Sequence, residues 1–207
     1  MRGTTLASLA QELNSRHVAR TERGRVLPPL LLMTDEARLP DPCAAADRLP
    51  AGAGIILRAY EGPALRRLAY ALAEIARQRR LVLLIARDAE LAAEVGANGV
   101  HLPEALAHLG AAMRRRADWL ITCAAHSLPA LHMAARVGAD AALLSPVFPT
   151  ASHPDRPALG PHYFAALVGR AGLPVYALGG ISETNAPLLL ASGAVGLAGI
   201  SGFSAGA

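Results

Sequence analysis

Short apolar runs alternate along this chain with segments whose apolar residues recur at helical spacing. The first segment, Thr5 to Arg16, sets Leu6, Leu9, Ala10 and Leu13 on one face, with Thr4 or Thr5 placed to cap it. Val26 to Met33 is an apolar run entered through Pro28-Pro29 and closed by Thr34-Asp35, and its second half predicts the first strand. A short helix over Cys43 to Arg48 and a strand over Gly54 to Arg58 follow. Pro63 opens a helix to Arg79, with Leu65, Leu68, Leu72 and Ile75 on its buried side. Leu81 to Ile85 is continuously apolar rather than alternating, as in a parallel strand covered on both faces. Asp88 caps a helix over Ala89 to Val95, Gly99 to Leu102 is a very short strand, and Pro103 starts a helix reaching Arg116. Next come the strand Trp119 to Cys123, the helix Leu128 to Val137 capped by Ser127, and the strand Ala141 to Leu144. The chain then reads as a helix around Pro161 to Val168, the strand Pro174 to Leu178, the helix Thr184 to Ala191 and the strand Val195 to Ile200.

Eight strands, each followed by a helix or the start of one, predict a parallel sheet closed into a single (β/α)₈ TIM barrel of class α/β. The expected organisation is an N-terminal helical extension over residues 1–25 and a barrel over 26–207. Catalytic groups of such a barrel lie where strands end, which gathers Thr34, Asp35, Arg58, Arg87, His101, Cys123, His126, Ser145, Gly179, Gly180 and Ser201 around one mouth.

The stretch Leu143 to Pro157 turns from an apolar run into a loop punctuated by Pro146, Pro149, Pro154 and Pro157. Proline at that density forbids helix and predicts a stiff loop displaying Ser145, Thr150, Ser152, His153 and Asp155. Gly179-Gly180-Ile181-Ser182 follows the seventh strand and Gly199-Ile200-Ser201-Gly202 the eighth, the two places where barrels commonly bind phosphate through backbone N–H groups.

Charge adds one sharp constraint. The formal net charge is +4 and the pI near 9.7, yet the cations are dispersed among acids except at Arg77 to Arg80 and Arg114 to Arg116, at predicted helix ends. No aromatic platform or binding motif accompanies them, so nucleic acid is not expected as a partner. All 20 basic residues are Arg, which excludes Schiff-base chemistry through lysine and leaves any anion to Arg, N–H groups or hydroxyls. Cys43 and Cys123 are isolated, giving neither a metal cluster nor a disulfide framework. No apolar run is long enough to span a membrane and the first residues lack a signal-peptide core, so a cytoplasmic protein is expected.

From Leu31 to Phe203, about five-sixths of the chain, the sequence resembles the thiamine phosphate synthase and TenI family of small barrels. The resemblance rests on V-G-A-N-G-V-H-L at Val95 to Leu102, S-P-V-F-P-T-A-S-H at Ser145 to His153, A-L-G-G-I-S-E-T-N-A at Ala177 to Ala186, and A-G-I-S-G-F from Ala198. It implies a synthase that joins a pyrimidine pyrophosphate to a thiazole phosphate with magnesium assisting departure of diphosphate, or a TenI-type isomerase of a thiazole carboxylate phosphate. By resemblance, Thr150, Ser152, Gly180 and Ser201 hold the thiazole phosphate, with His153 where a lysine is usual, and the glycine turns add Gly179 and Gly202 to the expected phosphate site.

The other half of the family's site departs from its pattern. Arg58 matches, but Tyr60 stands at a lysine position, Ala86-Arg87 replaces Asn-Asp, Leu106 occupies the position of the second metal-binding acid, and Ala124 replaces a serine. Arg87 would repel a magnesium ion, and Asp88 and Glu104 are the nearby acids that could replace the lost ligands. Pro146 stands where TenI proteins carry a histidine. His153 and His126 are candidate acid–base groups alongside Arg58, with a surface role for His153 and a loop anchor for His126 as the plainer alternatives; His101 is expected to be structural.

Three readings follow. In the first, the barrel binds a thiazole phosphate or similar small phosphate without cofactor, the magnesium and diphosphate half being lost, and serves thiamine metabolism as a tautomerase-like enzyme or non-catalytic binder. In the second it is an active synthase with a diphosphate site rebuilt from Arg58, Arg87 and Tyr60, magnesium included. In the third it is a scaffold. A small phosphorylated ligand is the expected partner, and a homodimer is compatible with the sequence.

Overall fold

The computed structural model describes residues 5–16, 24, 26–58, 61–150 and 157–200. Its strands are β1 (Leu30–Met33), β2 (Gly54–Leu57), β3 (Val82–Ala86), β4 (Gly99–Leu102), β5 (Leu120–Ala125), β6 (Ala141–Leu144), β7 (Val175–Leu178) and β8 (Gly196–Gly199). Each pairs in parallel with the next, and β8 pairs with β1, so the sheet closes as a barrel. The expected (β/α)₈ fold with an added N-terminal helix is therefore the observed one.

Alternation along each strand divides the apolar residues into two layers. Leu31, Met33, Ile56, Leu84, Leu120, Leu143, Tyr176 and Ala198 fill the barrel interior. Leu30, Leu32, Ile55, Leu57, Leu83, Ile85, Ile121, Cys123 and Leu197 face the surrounding helices. Where strands crowd, only glycine fits: a Cβ on Gly99 would run into the Leu120 carbonyl.

The outer layer comprises α1 (Leu6–Arg16), α2 (Pro42–Asp47), α3 (Gly62–Arg79), α4 (Ala89–Glu94), α5 (Gly110–Met113), α6 (Leu128–Arg136) and α7 (Gly160–Val168). The expected caps form at Asp88, whose Oδ1 accepts from Leu91 N at 2.8 Å, and at Ser127, whose Oγ accepts from Ala130 N at 3.3 Å. The α1 helix buries Leu6, Leu9, Ala10 and Leu13, and Asn14 Nδ2 donates to the carbonyls of Leu27 and Val195 at 3.1 and 2.9 Å. Those carbonyls lead into β1 and β8, so α1 is fastened to the barrel.

Three expectations need correction. The segment from Pro103 is not a helix to Arg116 but a 3₁₀ turn over Glu104–Leu109 followed by the single turn of α5. Gly110 sits where a Cβ would press on Val137 Cγ2 at 2.8 Å, and so short a segment gains little from helix propagation. The helix over Thr184 to Ala191 is reduced to a 3₁₀ turn, Ala186–Leu189, around Pro187. On α3 the fully buried side is Ala69, Leu72 and Ala76, with Leu65, Leu68 and Ile75 half-buried, because small residues let the helix approach the sheet. Arg77 and Arg79 do lie in the last turn of α3. Arg114 instead braces the barrel wall. Its Nη2 donates to Asp140 Oδ2 at 2.7 Å and to Gly138 O at 3.0 Å, and its Nη1 to Trp119 O. Asp140 Oδ2 also accepts from Ile121 N at 2.8 Å, making a buried clamp between β5 and β6.

Candidate functional site

The inward parity of the strands, held to their last residues and continued past their ends, brings Asp35, Arg58, His101, His126, Ser145, Leu178 and Ile200 to one rim, and all seven line a cavity of about 580 Å³ at the barrel mouth. Met33, Arg38, Arg87, Pro103, Ala124, Pro146, Thr150 and Gly179 complete the described lining. The volume suits a small organic ligand. Three described residues expected at the mouth, Cys123, Thr34 and Gly180, are not among its lining. Cys123 faces the helices, because β5 runs to Ala125 and its inward positions are Thr122 and Ala124; burial pushes its thiol up to about 12. Thr34 is wholly buried beside β2, where its Oγ1 donates to Arg58 O at 2.8 Å and accepts from Arg58 N at 2.9 Å. It anchors Arg58 rather than meeting a ligand.

The β1–β3 side of the mouth is cationic. Asp35 Oδ2 lies 2.8 Å from Arg38 Nη2 and 3.2 Å from Arg58 Nη2. The Arg38 hydrogen bonds, with a further contribution from the charge of Arg58, hold the Asp35 carboxyl below its ordinary value against the opposing effect of burial. Burial lowers the Arg58 guanidinium, partly offset by Asp35. Its Nε is buried and has no hydrogen-bond partner. Arg38 is not among the residues expected from sequence, although its i,i+3 spacing from Asp35 on a turn is the available signal.

Arg87 stands apart from strand parity. Alternation would turn the residue after Ala86 outward, but Arg87 takes a left-handed φ of 65°, its N–H donates to His101 O at 3.0 Å, and the side chain lines the cavity. Non-glycine residues in that conformation cluster at functional sites.

His101 is buried beneath these arginines, with Nδ1 2.9 Å from Thr122 Oγ1. Burial first, and Arg58 second, lower its pKa to about 3, so the imidazole is neutral at pH 7. His126 differs. It is half-exposed on the cavity wall, with Nδ1 2.7 Å from Glu104 Oε2. A carboxylate can only accept, so Nδ1 carries the proton.

Across the mouth, the loop after β6 extends the ladder along β7. Val147 N donates to Leu178 O at 2.9 Å and Phe148 N to Gly179 O at 3.0 Å. Gly180 is tucked beneath this loop at φ 65°, where a Cβ would run into the carbonyls of Pro149 and Phe148. Asn185 Nδ2 donates to Gly180 O at 2.8 Å while its Oδ1 accepts from Ser182 N at 2.9 Å, stapling the turn. Asn185 too is absent from the residues expected by sequence, though its place in the E-T-N-A motif is visible there. Gly179 and Thr150 line the cavity; Gly180 does not, lying one residue behind it. Tyr60, Ser152, His153, Asp155, Ser201 and Gly202 lie outside the described residues.

Magnesium, which the resemblance implies, calls for several free oxygen ligands in near-octahedral array. The described donors do not fit. Asp35 is clamped by two guanidinium groups, Asp88 caps α4, and Glu104 holds His126. No cluster of three or more His, Cys, Asp or Glu side chains able to hold a metal occurs among the described residues. Neither does any described helix have the length and apolarity to cross a membrane.

Residues 32–203 match the family model described as thiamine monophosphate synthase. The thiamine-phosphate synthase of Methanospirillum hungatei is 31% identical over 181 residues, covering 83% of this chain and 87% of its own length. That of Chlorobium limicola is 30% identical over 182 residues, with 86% of each chain covered. Among solved structures, thiamine phosphate pyrophosphorylase from Pyrococcus furiosus superposes with a TM-score of 0.71 at 23% identity, over 93% of this chain and 91% of that one, a likeness of fold.

Proposed function

The chain belongs to the thiamine monophosphate synthase family, and on that premise we propose that it binds a thiazole phosphate, or a similar small phosphorylated heterocycle of thiamine metabolism, at the barrel mouth. It does so without magnesium and does not carry out the family's magnesium-dependent condensation. One observation carries this reading: three guanidinium groups line the cavity, whereas the lining carboxylate among the described residues, Asp35, is already neutralised by two of them. Such a cavity attracts an anion and repels a divalent cation.

In this reading Thr150 and the Gly179-Gly180 turn take the phosphate, with Ser152, Ser201 and Gly202 completing the subsite. His126, oriented by Glu104, is the acid–base group of a tautomerase-like proton transfer, and His153 is its second candidate. The setting is the cytoplasm and the partner is the small molecule itself. Calorimetric titration of thiazole phosphate into the full chain tests the proposal: binding of equal strength in EDTA and in magnesium is expected, and absence of binding in EDTA refutes it.

The placement of Arg58 and Arg87 on the same cavity as Thr150 and Gly179 favours a second reading, a synthase whose arginines, with Tyr60, neutralise the leaving diphosphate. Thiamine phosphate formation that persists in EDTA would select it.

A further inference from the structure

We infer that the outer wall formed by α7 and the 3₁₀ turn Ala186–Leu189 is the face through which two copies of this chain pair about a two-fold axis. The inference is independent of the ligand reading above, because this wall lies on the outside of the barrel and pairing leaves the mouth open.

Charge is spread unevenly along the sequence. Of the 20 arginines and 16 acidic residues, Arg170 and Glu183 are the two that fall after Arg156. The α7 helix and the 3₁₀ turn pack together and contain no Arg, Asp or Glu, whereas α3 carries Arg66, Arg67, Glu74, Arg77 and Arg79. In place of charge, the wall exposes Tyr163, Ala166, Pro187, Leu188 and Ala191. Tyr163 and Leu188 are 58% and 61% exposed, two of the four large hydrophobic side chains left exposed among the described residues. Of the other two, Val26 precedes β1 and Tyr70 is engaged through its hydroxyl with Glu94. A single exposed apolar residue is ordinary, but an aromatic and an aliphatic anchor on a charge-depleted wall have the composition of an interface core.

The two remaining charges decide the occupant. Because α7 returns antiparallel to β6, Arg170 follows it at the far end of the barrel, whereas Glu183 precedes the 3₁₀ turn at the mouth end. Both residues are exposed, and neither side chain has an ion pair or hydrogen bond with any described residue. A two-fold axis lying in the wall midway between them exchanges their positions. Each arginine then meets the glutamate of the other copy, and the uncharged anchors meet one another. One cation and one anion at opposite ends thus make the wall self-complementary, and its uncharged centre loses little on leaving water. The same pairing through α3 would set an arginine-rich surface against itself in a chain of net charge +4.

Sedimentation velocity of the full chain over a concentration series tests this. A species of twice the 21.4 kDa chain mass is expected in the micromolar range. Leu188→Arg places a cation in each half of the contact and is expected to give monomer, with the far-ultraviolet circular dichroism unchanged because Leu188 is exposed in the single chain. Arg170→Glu sets two glutamates against each other at both ends and should weaken the dimer roughly tenfold or more. Arg170→Glu combined with Glu183→Arg rebuilds both pairs with their signs reversed and should restore the dimer, a rescue that a folding defect cannot produce. A monomer throughout the series overturns the inference and leaves the wall to a partner of another kind. A dimer indifferent to Leu188→Arg, or a double reversal that assembles no better than Arg170→Glu alone, overturns it as well.

Discussion

Acidification should begin to destabilise this barrel through His101 before its carboxylates titrate. The imidazole is buried beside Thr122 and beneath Arg58, and its pKa is lowered to about 3, whereas in the unfolded chain it lies near 6.5. The unfolded state therefore binds the proton that the folded state refuses. The stabilising contribution is complete above about pH 6.5 and is lost as pH falls toward 3. At about 1.4 kcal/mol per pH unit the loss is about 2 kcal/mol at pH 5 and on the order of 4–5 kcal/mol once pH 3 is reached. Asp35, whose folded pKa is also lowered, adds a further loss only below its ordinary carboxylate range. Urea denaturation of the parent and of His101→Asn from pH 7.5 to about 4.5 isolates the histidine, since asparagine can replace the bond to Thr122 without titrating. The difference between the two stabilities should shrink by about 2 kcal/mol between pH 7 and 5. Parallel curves over that interval would show that His101 is not held neutral in the fold.

Two further perturbations probe the frame and the phosphate turn. Asp140→Ala leaves Arg114 and the Ile121 N–H buried without their carboxylate, and chemical denaturation should register a loss of about 3–5 kcal/mol. Gly180→Ala forces a Cβ against two carbonyls in a left-handed conformation; it should lower stability by more than about 1 kcal/mol, read by thermal melting, and weaken thiazole phosphate in the same calorimetric assay.

The barrel is legible in the sequence because its strands are apolar runs interleaved with capped helical segments, and because Asp88 and Ser127 cap as their positions suggest. Much of the rim is legible too: Arg58 and Ser145 follow strands whose ends are plain in the sequence, and His101 lies near the end of the short β4. What escapes depends on parity and tertiary packing. Cys123 misses the mouth because it shares the outward parity of Ile121 on β5, and the strand runs on past it to Ala125. Arg87 is at the mouth as its place after the third strand suggests, but it gets there through a left-handed backbone rather than by strand parity. The commitments of Asp88, Glu104 and Asp35 to a cap, a histidine and two arginines arise from contacts across the fold, and those contacts make the mouth cationic. The helices expected after β4 and β7 prove shorter, since helical spacing cannot reveal how little room Gly110 and Pro187 leave them.

If this mouth binds phosphorylated ligands through arginine and backbone groups, it has no use for magnesium. Thiamine phosphate formation from the pyrimidine pyrophosphate and thiazole phosphate, followed across a magnesium series that begins in EDTA, probes that point without intermediaries. No formation that depends on magnesium is expected at any point of the series. Robust turnover that appears with magnesium and vanishes in EDTA would refute the proposal, and would mean that Asp88 or Glu104 abandons its present partner to hold the ion.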